Sequence, residues 1–213
     1  MSIPAAMGVV LGVLGAYMVI GWLLSLVRRD ASIVDPFWGI GFIVAVVAYF
    51  LLTDGYAGRR MLVVVLAAAW GLRLSGYLIW RNRGKGEDPR YRRMRDRRPK
   101  IFWWFSLFQV FLLQALFLWL ISAPLVASQG SEEPARFVAL DFVGLAVWLV
   151  GFAFEVTGDT QLALFKRNPA NKGKVLDRGV WRYTRHPNYF GDSAVWWAYA
   201  IFSFAAGSYW QAA

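Results

Sequence analysis

Apolar residues run along this chain in six blocks separated by short polar segments. The first extends from about Ala5 to Val27, and the second, a shorter one, from about Phe37 to Leu52. The third covers about Met61 to Trp80 and the fourth about Ile101 to Val126. The fifth begins near Phe137, and the sixth runs from about Tyr189 to Ala206. A hydrocarbon core about 30 Å thick is crossed by about 20 apolar residues in helical form. Backbone N–H and C=O groups in lipid must be satisfied within the protein, so helices are the expected solution. The pattern therefore predicts an all-α fold, a polytopic helical integral membrane protein with about six transmembrane helices. No internal repeat, low-complexity linker or second soluble domain interrupts it, so residues 1–213 read as a single membrane domain.

The polar segments give an orientation. No basic residue precedes the first block, and Arg28-Arg29 follow it directly. A cleavable secretory signal has the opposite polarity, which makes the first block a retained helix with its N-terminus outside. The loops after the first, third and fifth blocks carry 2, 10 and 7 Lys/Arg, whereas those after the second and fourth carry 2 and 1. Positive loops stay in the cytoplasm. The expected localisation is thus in a membrane, with the active face cytoplasmic.

Composition agrees: 58% of residues are hydrophobic and 17% charged, against about 45–50% and about 25% in soluble domains. The chain has no Cys and one His, which excludes disulfides, thiolate sites and a multi-histidine metal centre. The net charge of +10 follows mainly from topology, with something anionic expected at the cytoplasmic face. Without a soluble binding module, nucleic acid is not an expected partner.

Several polar groups sit where lipid makes them expensive. Arg73 lies inside the third block; an ionisable group at membrane depth costs at least about 2.5–3.5 kcal/mol on insertion scales and is a functional candidate by default. Snorkelling or pairing with a carboxylate is the alternative. Asp35-Pro36 opens the second block, where Asp35 reads as a helix cap with Pro36 at a first helical position, or else as an acid facing a cavity. The fifth block turns polar at Glu155, Asp159, Lys166 and Arg167. A helix continuing to Arg167 would be about 45 Å long and would protrude or line a polar cavity. Glu155, Asp159 and Lys166 would then lie within about 40° of one another on one face. The segment from Lys166 to Asp192 carries seven Lys/Arg suited to phosphate, and Pro187 marks a helix start that favours an anion. Trp181, Tyr183 and Tyr189 there could stack on a planar ring. A lipid-headgroup loop would have the same composition. The loop from Arg81 to Arg93 has similar chemistry. Walker and Rossmann patterns are both absent.

The run Gly179-Val-Trp-Arg-Tyr-Thr-Arg185-His186-Pro187-Asn188-Tyr189-Phe-Gly191-Asp192 resembles the signature Arg-His-Pro-x-Tyr-x-Gly. That signature is shared by membrane steroid 5α-reductases, sterol reductases and isoprenylcysteine carboxyl methyltransferases. Asp35-Pro-Phe-Trp-Gly39, Asn82-Arg-Gly-Lys-Gly-Glu87-Asp88-Pro-Arg90-Tyr91 and Glu155-x-x-x-Asp159 are similar to a bacterial steroid 5α-reductase-like branch of unknown function. The resemblance covers nearly the whole chain. It implies a helical membrane fold whose cytoplasmic half, residues 137–213 with loop 81–100, holds NADPH while a lipid-like substrate enters from the bilayer. By matching motif, Glu155 stands where a steroid reductase has Asn, and Asp159 keeps the Asp. Lys166 stands near a phosphate-contacting Arg, Asn188 matches an Asn, and Asp192 stands for a Glu in the cofactor pocket. The reductases' Gln/Glu pattern on the second helix is absent here, leaving Asp35 as the nearest acid. Relatives also continue past the point where this chain stops, through another helix and a basic, Tyr-containing tail that helps close the adenine end, so either a naturally shortened protein or a less complete pocket is expected.

The function expected from these readings is NADPH-dependent reduction of a C=C bond in a lipid or steroid-like substrate. The protein must orient the cofactor, exclude water and polarise an acceptor carbonyl. Asp35, Tyr77, Glu87 and Tyr91 are the candidate polarisers. The candidate cofactor-binding residues are Arg73, Glu155, Asp159, Lys166, Arg178, Tyr183, Arg185, His186, Asn188, Tyr189 and Asp192. No metal site and no obligate protein partner are expected; the partners are membrane lipid and a hydrophobic small molecule. The alternatives are an S-adenosylmethionine-dependent lipid or prenyl methyltransferase and a non-enzymatic membrane protein.

Overall fold

In the computed structural model, which describes residues 1–207, the chain is helical and contains no strand among the described residues. Five segments are long and apolar enough to cross a membrane: Ile3–Arg28, Ala31–Leu52, Ala57–Asn82, Phe102–Ala127 and Ala139–Arg167. The helices are α1 (Ile3–Arg28), α2 (Val34–Leu52), α3 (Ala57–Asn82), α4 (Pro89–Arg97), α5 (Phe102–Ser106), α6 (Leu113–Ile121), α7 (Ala123–Ala127), α8 (Ala139–Arg167) and α9 (Pro187–Ala205). The sixth predicted block forms α9, which is not among the five most apolar segments. The end of the expected cofactor half, 208–213, lies outside the described residues.

Burial explains why these helices suit lipid. On α1 one stripe, Ala6, Val10, Leu14, Met18, Gly21 and Ser25, is buried, while Val9, Leu11, Val13, Ile20, Leu23 and Leu24 are exposed. A helix apolar all round with only one buried stripe needs an apolar solvent on its other faces. Polar side chains between helices are satisfied internally. Tyr17 Oη donates to Phe37 O (3.1 Å), Trp119 Nε1 to Met7 O (2.9 Å) and Trp148 Nε1 to Tyr199 Oη (3.0 Å).

Two glycine contacts set the closest helix approaches. Gly39 on α2 meets Gly71 on α3 backbone to backbone, with no room for a side chain on either. A Cβ on Gly191 of α9 would lie 2.5 Å from both Glu155 N and Gly151 O of α8. Small residues let helices meet at this distance in lipid. The antiparallel pair α8–α9 is the most extensive helix packing in the molecule.

Helices α3 and α8 touch little directly and are joined instead by two ion pairs. Arg59 Nε and Nη2 grip Asp141 Oδ1 and Oδ2 at 2.7 and 2.9 Å, and Arg73 Nη1 meets Glu155 Oε1 at 2.7 Å. Each pair joins residues 82 apart in the chain. The helices therefore run parallel in register, with the two clamps separated by about 21 Å of helix at 1.5 Å per residue. Arg59 and Asp141 are fully buried, and nothing in the local sequence pattern singles them out.

Two local expectations are corrected. Asp35 is not the helix cap: the helical run starts earlier, and Asp30 caps the turn Ala31–Ile33 by accepting from Ser32 N at 2.9 Å. Asp35 thus lies within the first turn of α2, with its carboxylate available for other contacts. The fourth block is not one regular helix. A π-helical segment, Leu107–Leu112, separates α5 from α6, and Ser122 breaks α6 from α7.

Candidate functional site

Glu155 and Asp159 sit one turn apart on α8, so both present carboxylates to the same side. Arg73 from α3 bridges them, with Nη1 on Glu155 Oε1 and Nη2 on Asp159 Oδ2, both at 2.7 Å. Trp70, one turn earlier on α3, donates its Nε1 to Glu155 Oε2 at 2.8 Å. Asn188 in the first turn of α9 donates Nδ2 to Asp159 Oδ1 at 3.3 Å. Its Oδ1 is buried with no partner. A buried acceptor left empty normally costs about 1–3 kcal/mol, so its placement calls for a donor.

This network forms one wall of a cavity of about 430 Å³. Asp35, Trp38 and Phe42 come from α2, Trp70, Leu74 and Tyr77 from α3, and Asn188, Tyr189, Asp192 and Trp196 from α9. Its deep end is aromatic: Trp196 packs on Phe42 at 4.6 Å and on Trp70 at 5.6 Å, centroid to centroid. Four carboxylates thus line a chamber with ring faces behind them.

Tyr77, Arg81, Asp159 and Asn188 also belong to a second cavity of about 590 Å³. This outer cleft adds Arg83, Lys85, Lys166 and Arg167. With Arg81 it gathers five cations, none in an ion pair among the described residues. The chemistry changes across one shared wall, from carboxylates and rings inside to unpaired cations outside.

The expected site residues divide by location. Asp35, Tyr77, Glu155, Asp159, Asn188, Tyr189 and Asp192 meet in the chamber; Arg73 buttresses it and Lys166 lines the cleft. Tyr91 reaches the chamber through Asp35, donating Oη to Oδ1 at 3.0 Å, while Arg90 Nη2 lies 3.3 Å from Oδ2. Burial and the Asp35 charge push the Tyr91 hydroxyl well up, so it stays a proton donor. Arg185 and His186 line a separate basic cavity of about 740 Å³ under loop 168–186. Arg178 lies in a smaller recess beside Gln161, and Tyr183 is exposed. Trp181 lines the same basic cavity as Arg185 and His186, its Nε1 donating to Gly158 O at 3.0 Å.

Glu87 is not among the chamber residues. Its Oε1 accepts from Ala31 N at 2.8 Å and from Arg95 Nη2 at 2.7 Å, and Oε2 accepts from Arg95 Nε at 3.0 Å. It is a clamp tying loop 83–88 and α4 to the start of α2. Burial opposes its charge, yet the Arg95 bonds, the Ala31 N–H and the Arg95 charge together hold its carboxyl below the ordinary range. A folded value below the unfolded one, about 4.3 for Glu, contributes stability above that pH and loses it as pH falls through the folded value. Acidification from neutral pH is therefore expected to destabilise the wild type more steeply than Glu87→Gln below about pH 4.3, read by thermal unfolding in detergent.

The family described as "Protein of unknown function (DUF1295)" matches residues 21–213. The chain belongs to this family. It is also 27% identical over 207 residues to an uncharacterized protein of Schizosaccharomyces pombe, covering 85% of this chain and 60% of that protein. The chain thus spans 60% of that relative's length. No solved structure matches it.

In this DUF1295 chain the matched region includes every chamber and cleft residue named above. Sequence reading missed Gln114, which follows the π-helical segment and accepts a hydrogen bond from Trp38 Nε1. Its signal was an amide, one of two with Gln109, in a 26-residue apolar span. The ring cluster of Trp38, Phe42, Trp70 and Trp196 was equally hidden, because aromatic residues in an apolar block read as ordinary packing.

Proposed function

We propose that this protein is an NADPH-dependent reductase of a C=C bond in a lipid or steroid-like substrate, related to the membrane steroid 5α-reductases. The observation that carries this reading is the juxtaposition of the carboxylate-and-ring chamber with the five-cation cleft across one shared wall. A dinucleotide has the matching polarity: a planar amide-bearing ring at one end and phosphates beyond it. The residues fit that group. The unpartnered Asn188 Oδ1 is an acceptor suited to a carboxamide N–H, and Arg81, Arg83, Lys85, Lys166 and Arg167 are suited to phosphate oxygens.

When bound, NADPH would supply a hydride to one carbon of the double bond and leave as NADP+, and a proton from solvent or the Tyr77 hydroxyl would complete the saturation at the other carbon. Tyr77, on the wall common to chamber and cleft, is assigned the hydrogen bond to the acceptor carbonyl oxygen. Asp35, fixed by Tyr91 and Arg90, is the second polar group presented to substrate. Trp38, Phe42, Trp70 and Trp196 exclude water from the reacting centre. In this reading α9 is a sixth membrane span, the N-terminus is outside, and the cleft faces the cytoplasm, as the loop charges favour. Single-cysteine labelling in this cysteine-free chain reads the topology; labelling of position 172 from outside intact cells would refute it.

S-adenosylmethionine-dependent methyl transfer is the second reading. Ring faces beside carboxylates suit a sulfonium cation, but that cofactor leaves five cations with a single carboxylate to pair. Calorimetry on purified protein separates the two. NADPH is expected to bind roughly tenfold or more tighter than NADH, since one charge-assisted bond to the 2′-phosphate is worth about 1.5–3 kcal/mol. Asp159→Ala is expected to weaken NADPH several-fold, and more than Glu155→Ala does. Equal affinity for NADPH and NADH, or binding of S-adenosylmethionine alone, would reject the proposal.

A further inference from the structure

A further cavity, of about 490 Å³, lies between the C-terminal end of α1, the start of α2 and the end of α3. It shares no lining residue with the chamber, and Arg83 alone with the outer cleft. Leu24, Ile33, Phe37 and Ile79 form its apolar wall, and Arg28 and Arg83 its charged rim. Neither arginine has an ion-pair or hydrogen-bonding side-chain partner among the described residues. One acid, Asp30, is present, and it is engaged by Ser32 through both its N–H and its hydroxyl.

The rim closes with a glycine turn. Gly84 (φ 76°) and Gly86 (φ 68°) occupy the left-handed region, where an L side chain would be strained. Their N–H groups donate to no backbone acceptor outside regular helix among the described residues. The intervening Lys85 N–H closes the turn onto Asn82 O at 3.1 Å, and free N–H groups in such turns favour an anion. The apolar wall continues into exposed membrane-type surface at Leu23, Leu24, Val27 and Ile79. Exposed Trp80 and Trp103 flank the same end of the bundle, and Trp22 Nε1 is tied to Trp103 O at 2.8 Å. Tryptophans at this position mark the membrane–water boundary.

We infer that this groove binds one anionic phospholipid, its phosphate between Arg28 and Arg83 and its acyl chains along Leu24 and Ile79. The combination decides the occupant. A soluble phosphate would use the arginines and the glycine turn but leave the apolar wall exposed; a zwitterionic lipid would bring its own cation beside the two arginines, and a lipid without phosphate would leave both unpaired. The groove also has a mechanical consequence. Arg83, Gly84 and Gly86 lead directly into Glu87, the clamp on Ala31, and Tyr91, the donor to Asp35. Seating a headgroup here fixes the segment that holds Asp35 in the chamber wall. The inference requires only the membrane reading; because Arg83 also lines the cleft, Arg28→Gln, outside it, is the variant that separates lipid binding from cofactor binding.

The test uses the full chain in phosphatidylcholine micelles titrated with phosphatidylglycerol, read by native mass spectrometry of retained lipid and by the rise in unfolding temperature. A basic contact near an anionic surface is worth about 1 kcal/mol, or roughly fivefold. Arg28→Gln and Arg83→Gln are each expected to lower phosphatidylglycerol affinity roughly fivefold, and the pair to abolish the one-lipid adduct. Arg97→Gln, on the exposed face of α4, is the control for general surface charge and is expected to change little. If the paired variant is poorly folded, the single variants and Arg83→Lys carry the comparison, Lys keeping part of the affinity. Unchanged retention in the single variants, an equal loss in Arg97→Gln, or an equal thermal gain from soluble glycerophosphate would overturn the inference.

Discussion

Arg73→Met is expected to destabilise the fold by about 3–5 kcal/mol, the cost of stripping a buried pair of its partner. Two carboxylates, one turn apart and largely buried, would be left with Trp70 Nε1 and Asn188 Nδ2 as their remaining donors. Mutual repulsion would add to desolvation. The combined change Arg73→Met, Glu155→Gln, Asp159→Asn removes all three charges and is expected to recover most of the stability, because neutral replacement of a buried ionic cluster is often tolerated. It should not recover NADPH binding. Arg59→Met supplies the contrast. Arg59 and Asp141 are more deeply buried than the Arg73 pair, so the stability loss should be at least as large. That clamp sits about 21 Å of helix away, so NADPH affinity of the folded fraction should stay near wild type. Thermal unfolding in detergent and cofactor titration of each variant measure both quantities. An Arg73→Met protein that unfolds like wild type would mean that the cluster is solvated and not part of a closed chamber.

Gly191→Ala is the second large effect. Its Cβ would meet backbone on two sides, at Glu155 N and Gly151 O. No side chain can rotate away, so α9 must move off α8. Overpacking of this kind costs about 1–3 kcal/mol. The movement also displaces Asn188 and Asp192, on either side of Gly191, from the wall shared with Glu155 and Asp159. Stability and NADPH affinity should therefore fall together. Gly76→Ala on α3 meets nothing within 4 Å and should be neutral or stabilising, up to about 1 kcal/mol from helix propensity. A Gly191→Ala protein with wild-type unfolding would show that α8 and α9 are not packed as closely as their glycines require.

What could be read from sequence was local. The run of α8 to Arg167 follows from an apolar block that turns polar without a breaker, and the shared face of Glu155 and Asp159 follows from their i,i+4 spacing. Arg73 stood out because lipid makes a charge expensive. Its pairing with Glu155 and Asp159 did not, since they lie 82 and 86 residues away and no local pattern encodes that register. Asp35 was misplaced as a cap because Asp30 and Asp35 both precede apolar helix. Only the hydrogen bond to Ser32 N distinguishes them. Glu87 reads the same in a basic loop whether it faces a cavity or clamps a backbone N–H. The π-helical turn before Gln114 has no sequence signature, because nothing in Leu107–Leu112 breaks a helix.

The central claim is that the chamber and the cleft hold one dinucleotide between them. The most direct measurement is an experimental structure of the purified full chain with NADPH added. It should show the nicotinamide end between Asn188 and Trp196, and phosphates among Arg81, Lys85 and Lys166. An adenosyl amino acid in the chamber, or a dinucleotide bound elsewhere on the molecule, would contradict it.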